Sequence, residues 1–396
     1  MENLIKLILV NLLLAIAPAQ ALDIRGYSIG QVVVNKESVK NNSDTISAFR
    51  VQNINRLNLF HQSSVNFSYE LGFEVNQSYD HVYSSSAILD YESDTRPYRI
   101  EGLTPTFIRS NRYEKRSYTG FVNLDRLMVN YTKNELQMNV GRQPIYFGTS
   151  KTANPLDVLT PFSLTQINTA ERQGVDAVRV RYPIGIMGQW DFGAVFGESF
   201  EADESSAFIN AKLNIDSYEF GPLVQRYSKA NLLGFEAIKD FKGANLYIEA
   251  AYTNPDDFSD YYRQTLGIET LVTPELTLAF EYHYNGAGGT DKNIYTDVNP
   301  FSVTKGGVTF LGKHYLNGYL NYAVSGVDTL GLLAYFNVGD NSALIAPNYI
   351  RSLSDNQELN FGGFIGLGKR SNTRSVVHSE FGSSDSSIFT KYKFFF

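Results

Sequence analysis

The 396-residue chain carries 41 acidic and 34 basic residues, a formal net charge of −7, and no cysteine. Without thiols it has no disulfide framework, no cysteine nucleophile and no thiolate-held metal. Tyrosine (26) and phenylalanine (27) far outnumber tryptophan (1) and methionine (4), a balance that favours strands over helices.

In chain order, Met1 to Lys6 is short and polar, Leu7 to Ala17 is almost wholly apolar, and Ala19-Gln20-Ala21 is a small-x-small cleavage site. That is the pattern of a secretory signal peptide, with an apolar core too short to span a bilayer. Residues 1–21 are set aside as the leader, and one domain is expected over 22–396, starting at Leu22. Nothing after the leader approaches the ~20 apolar residues of a spanning helix, so a membrane protein of this sequence must be a barrel.

From Leu22 onward, short runs alternate apolar and polar residues between turn signals. They predict strands over 24–35, 46–60, 65–79, 118–132, 135–148, 174–183, 187–198, 206–215, 218–228, 231–241, 244–254, 260–272, 275–285, 309–324, 328–338, 343–353, 357–369 and 386–396. That makes 18 strands, with 16 as the alternative count. In the third, Val65, Phe67, Tyr69, Leu71, Phe73 and Val75 share one face, opposite Asn66, Ser68, Glu70, Gly72 and Glu74. The connections at 61–64, 133–134, 184–185, 216–217, 242–243, 273–274, 326–327 and 355–356 are short and fall at one end. The long ones, 80–117, 149–173, 286–308 and 370–385, fall at the other. Short turns at one end and long loops at the other, with an even strand number, describe a transmembrane antiparallel up-and-down β-barrel.

The final run, Ser386 to Phe396, places Ile388, Thr390, Tyr392, Phe394 and Phe396 on one face and Lys391 and Lys393 on the other. An unpaired edge this sticky templates aggregation, and pairing the last strand with the first removes it. The terminus is similar to the closing strand of Gram-negative outer-membrane barrel proteins, where a final Phe with aromatics two and four residues earlier is the assembly signal. That resemblance implies the cell outer membrane as location, membrane lipid as surroundings, and the barrel-assembly machinery as a partner through Phe396. Alternation does not say which face is inside; the leader and this terminus put the apolar face toward lipid.

A second resemblance lies mid-chain. Gly141-Arg142-Gln143 opens a stretch that passes through Asn154-Pro155-Leu156-Asp157 and returns as Arg172-Gln173-Gly174-Val175-Asp176-Ala177-Val178-Arg179. These motifs resemble those of alginate-export-type and related 18-stranded porins. Such a barrel is too wide for its own side chains to fill, so loops would set its constriction. The leading loop is 149–173, whose Leu156, Val158, Leu159, Phe162 and Leu164 are unneeded on a solvated surface; a loop packed over the rim is the rival reading. The candidate pore-lining residues are Arg142, Arg179, Arg181, Arg126, Asp157 and Arg172. Strict alternation would turn Arg142 toward lipid, at ~2–4 kcal/mol near mid-depth, unless a bulge at Gly141 returns it inward. Asp125-Arg126 invites the same treatment. The plainer reading of most such charges is cross-strand pairing in a wet lumen. In the second half of 80–117, Arg96, Arg99, Arg109, Arg112, Lys115 and Arg116 stand against Glu101 and Glu114, a basic vestibule.

Catalysis is not expected. Of His61, His81, His283, His314 and His378, only His283 and His314 lie on expected strands; His283 shares a face with Glu281, and no strand-borne Ser is spaced to use the pair. No cofactor, metal site or nucleic-acid partner is expected. The reading is a channel for passive diffusion of small hydrophilic solutes, with a bias toward anions, and a homotrimer is left open. Its rival is a structural or adhesive barrel whose outer loops bind a surface polysaccharide or partner without transport.

Overall fold

A computed structural model describes residues 22–36, 46–82, 98–100, 109–113, 116–290, 295–307, 309–371 and 377–396. The leader lies outside the described residues. One antiparallel sheet closes on itself. Its strands are β1 (Asp23–Lys36), β2 (Ile46–Gln62), β3 (Phe67–Val82), β4 (Arg109–Tyr113), β5 (Arg116–Lys133), β6 (Leu136–Gln143), β7 (Val175–Ile184), β8 (Gly188–Phe196), β9 (Ser206–Ile215), β10 (Tyr218–Tyr227), β11 (Ala230–Phe241), β12 (Ala244–Pro255), β13 (Tyr261–Thr273), β14 (Leu276–Asn285), β15 (His314–Ala323), β16 (Asp328–Asn337), β17 (Ser342–Ser354), β18 (Gln357–Leu367) and β19 (Ser386–Phe395). The wall is an 18-stranded barrel, because β3 pairs directly with β5 and the short β4 only adds to the outer part of β5.

Every expected strand is present. β6 stops at Gln143 instead of residue 148, since Pro144 has no N–H to give the ladder. β15 starts at His314, five residues later than expected. β4 falls inside the loop expected over 80–117; its Arg-Ser-Asn-Arg-Tyr sequence has no apolar alternation to announce it.

The two faces differ in chemistry as the pleat requires. In β13, Tyr262, Leu266 and Ile268 are exposed on the outer surface, while Tyr261, Arg263 and Thr265 between them are buried. In β8, Trp190 and Phe192 face out and Asp191 faces in. The interior is not uniformly polar. Ile145, Phe147, Leu156, Val158 and Leu159, from the segment after β6, pack with Val195, Phe208, Leu223 and Leu232 of the wall into one apolar cluster. The sequence signals this where apolar residues stand side by side, as at Phe208-Ile209, Leu223-Val224 and Leu232-Leu233, because a strand covered on both faces loses its alternation.

The ring is shut by β1 against β19, in register from Tyr27 opposite Phe395 to Lys36 opposite Ser386. The terminal residue completes the ladder: Gly26 N–H donates to the Phe396 carbonyl at 2.8 Å, and Phe396 N–H donates to the Gly26 carbonyl at 3.0 Å. Lys391 and Lys393 turn inward, and Ile388 and Tyr392 turn out. A Cβ on Gly26 would lie 2.3 Å from the Arg56 carbonyl oxygen and 2.6 Å from the Phe396 ring. Gly26→Val should therefore cost about 1–3 kcal/mol by overpacking. It should lower the temperature at which the folded, fast-migrating gel band disappears. Gly326→Ala, with open space around it, should leave that temperature unchanged; equal behaviour of the two variants would refute the seam's role.

Candidate functional site

The segment between β6 and β7 lies inside the barrel, and the wall holds it by its backbone. Thr149 and Ser150 N–H groups donate to Glu249 of β12. Lys151 N–H donates to Glu281 of β14 at 2.6 Å, Thr152 N–H at 3.1 Å and Ala153 N–H at 3.3 Å. Both carboxylates are fully buried, so each needs charge-assisted partners, and the non-strand amides need acceptors. Thr265 of β13 donates its hydroxyl to the Ala153 carbonyl at 2.7 Å, and Asn317 of β15 donates to the Thr152 hydroxyl at 2.9 Å. Farther along, Leu156 seats on Gly234 of β11, where even a methyl group would come within 2.6 Å of it. The Asn154 side-chain oxygen caps the turn by accepting from Leu156 and Asp157 N–H.

The interior charges are mostly matched. Arg56 Nη1 meets Asp125 at 2.9 Å, Arg99 Nη2 meets Asp125 at 2.9 Å, and Arg126 contacts both Asp125 and Glu171. A register shift between Gly72 and Phe73 leaves Asp125 as the extra residue of a bulge. Arg50 pairs with Asp80 at 2.6 Å and Arg179 with Asp191 at 2.5 Å. Arg181, directly across from Asp191 in the ladder, forms no ion pair among the described residues.

Two hollows flank the inner segment. One, of about 630 Å³, lies between residues 150–172 and the inner face of β15–β19, and includes Lys151, Arg172, Glu358, Asn360 and Lys391. The other, of about 420 Å³, is bordered by Tyr98, Leu159, Glu198, Ser228 and Lys305. Pro161 borders both.

No family model and no curated protein matches the chain. Solved structures do. OccD3 (OpdP) of Pseudomonas aeruginosa superposes with a TM-score of 0.57 at 8% identity, over 96% of this chain and 92% of that one. OccAB2 of Acinetobacter baumannii gives 0.56 at 8% identity, over 95% of this chain and 98% of that one. A triple mutant of the Rhodopseudomonas blastica porin is more distant, at 0.46. The chain has the porin fold. At such identities the porin likeness is one of fold, and the alginate-export-type likeness remains a resemblance of motifs.

Within the porin fold, the six sequence candidates separate into three places. Asp157 and Arg172 contact each other beside the larger hollow, and the Arg172 guanidinium also lies 4.5 Å from the Tyr146 ring centre and 4.4 Å from that of Phe162. Arg126 reaches them indirectly, donating to the Arg172 carbonyl at 2.8 Å. Arg179 and Arg181 stand on β7 toward the short-turn end. Arg142 sits in the wall. Its ladder runs through Gly141 with no register shift, its Nε and Nη2 both lie 2.7 Å from Asp176, and its Nη1 donates to the Leu124 carbonyl at 2.8 Å. Gly141 is still required, at φ +114 and with a would-be Cβ 2.1 Å from the Leu127 carbonyl oxygen.

Arg99, expected in a basic vestibule, is instead buried, bridging Asp125, Asn123 and the Gly174 carbonyl; Arg96, Glu101, Glu114 and Lys115 lie outside the described residues. The Glu281 carboxylate serves the inner segment and the Tyr247 hydroxyl, while His283 meets the Thr265 hydroxyl at 2.8 Å, so Glu281 does not orient the imidazole. Sequence reasoning missed Glu249 and Glu281 as anchors. Only their appearance on inward strand positions hinted at it.

Glu249→Ala combined with Glu281→Ala should release amides 149–153. Their hydrogen exchange should accelerate by about 10–100-fold, in line with about 1.5–3 kcal/mol for a bond to a charged group. Peptide-resolved exchange that is unchanged would show the segment is held by Leu156 and its neighbours alone.

Burial pushes the Asp157 carboxyl up to about 6, against the pull of Arg172. Burial likewise pushes Glu380, in the loop before β19, up to about 7, although Tyr315, Asn337 and the Leu311 amide donate to it. A carboxyl raised above its unfolded value stabilises the fold fully below that unfolded value and loses the contribution as pH rises through the folded one. The window is therefore about pH 4 to 7, worth at most about 2–3 kcal/mol for each group. Asp157→Asn and Glu380→Gln should each flatten the fall of thermal stability across that window relative to the unmutated protein.

Proposed function

We propose that the chain is an outer-membrane channel for passive diffusion of small hydrophilic solutes, narrowed by its own segment 144–174. The observation that carries this reading is the anchorage of that segment to Glu249 and Glu281, with an interior hollow left open beside it. Exposed apolar residues on the outer face match a hydrocarbon surround, and the β1–β19 seam closes the barrel wall. Conduction follows from the path past the segment.

An anion bias rests on few groups. Most interior arginines stand beside a carboxylate, which cancels their field at a distance. Arg181, Lys391 and Lys393 form no ion pair among the described residues; Glu358, across from Lys393, offsets one of the two lysines, so Arg181 and the other lysine supply the remaining positive potential.

In planar bilayers the folded protein should give steady ohmic steps, and the reversal potential in a salt gradient should favour anions. Arg181→Glu should move that potential toward cations by more than Arg179→Gln, because Arg179 is already matched by Asp191. Folded protein that never conducts would point to the adhesive or structural barrel instead. Conduction with an unchanged preference in Arg181→Glu would remove Arg181 from the set.

A further inference from the structure

Arg263 of β13 is a buried cation of a different kind from the paired arginines. It is 2% exposed and forms no ion pair among the described residues. Its Nε donates to Asn285 Oδ1 at 3.0 Å and its Nη1 to the Gly306 carbonyl, both neutral acceptors. Its Nη2 meets no hydrogen-bond partner. Three hydroxyls close to it are equally unspent, those of Tyr227, Tyr261 and Ser302, on residues 0%, 5% and 1% exposed.

These groups stand around Gly306. A Cβ placed on that glycine would lie 2.9 Å from the Tyr261 hydroxyl oxygen and 2.7 Å from the Ser302 Cα, and Arg263 holds the Gly306 carbonyl. The Arg263 guanidinium is 5.1 Å from the Tyr261 ring centre. Tyr227 has Tyr261 and Arg263 as its electrostatic neighbours, and its ring centre lies 5.9 Å from that of Phe301, beside Ser302. The last residue of β10, the first turn of β13 and the short helix Pro300–Thr304 therefore meet at one point. Asp256 and Asp260, just before β13, are spent on Arg226 and on Tyr252 and Asn254. A buried cation with no counter-charge is costly, and so is each unmet donor. Water can meet the hydroxyls but cannot offset the guanidinium charge.

We propose that a halide ion, chloride in ordinary media, binds at this point, held by Arg263 Nη2 and the Tyr227, Tyr261 and Ser302 hydroxyls. Residues sealed to this degree suit a monatomic ion rather than a passing solute. The bound ion ties the helix Pro300–Thr304 to β10 and β13. It also cancels the charge of Arg263, which then adds nothing to the anion bias of the lumen.

The test uses the full chain folded in detergent. At matched ionic strength, replacing sodium gluconate by sodium chloride should raise the temperature at which the folded gel band disappears, and the rise should saturate. Tyr261→Phe should raise the half-saturating chloride concentration by about tenfold, the size of one hydrogen bond to a charged group. Arg263→Gln should abolish the saturable part; if that variant does not fold, Tyr261→Phe carries the comparison. In crystals of the unmutated protein grown with bromide, anomalous scattering should show a peak among Arg263 Nη2 and the three hydroxyls. Water there without anomalous signal overturns the site. So does a peak accompanied by equal unfolding temperatures in chloride and gluconate, which marks an adventitious ion only. Neither readout depends on conduction, so failure here leaves the channel reading untouched.

Discussion

Five consecutive backbone N–H groups, from Thr149 to Ala153, end on two carboxylates of the opposite wall. A chain crossing the inside of a barrel has no neighbouring strand, so its amides must find acceptors elsewhere or remain costly. Glu249 and Glu281 are in the mirror situation, as fully buried carboxyl groups with no ion pair among the described residues. Each solves the problem of the other. The arrangement also fixes where the apolar part of the segment goes, because Leu156, Val158 and Leu159 follow within a few residues and land on β9–β11. One side of the interior thereby becomes dry core, and the side along β15–β19 stays open.

Most interior arginines act as structural cations. Asp125 gathers Arg56, Arg99 and Arg126, tying β2, the segment at 98–100 and β5 into one cluster. Removing one member of such a buried set leaves its partner uncompensated, which is why these positions are poor levers on ion preference. The informative cations are those outside such sets: Arg181, and the two lysines of the last strand that share one acid, Glu358.

Architecture was legible from patterning because a wall between hydrocarbon and water imposes strict alternation on each strand. The eighteen runs, the asymmetry of the connections and the closing role of Phe396 all followed from it. The site was less legible. Arg142 looked like lining because it is charged and near the inner segment, yet its partner Asp176 is its cross-strand neighbour, a pairing visible only once register is known. Glu281 looked like the companion of His283 because the two share a face, but a carboxylate takes the strongest donors in reach, and those came from residues more than a hundred positions away. Lys391 was noted only as the polar side of a sticky strand. What distinguishes it is its burial without an ion pair among the described residues, and that belongs to the assembled interior.

The long reach of the inner segment bears on how the molecule is built. Thr152 touches Tyr335 across 183 positions of sequence, and the strands that grip residues 149–153 are made well after β6. Adding hairpins one by one around the ring cannot finish the interior, since the early strands wait with their central insert unmoored. Bringing such distant stretches together is entropically slow. The insert is therefore secured only once β12 and β14, which carry Glu249 and Glu281, are in place beside the early strands.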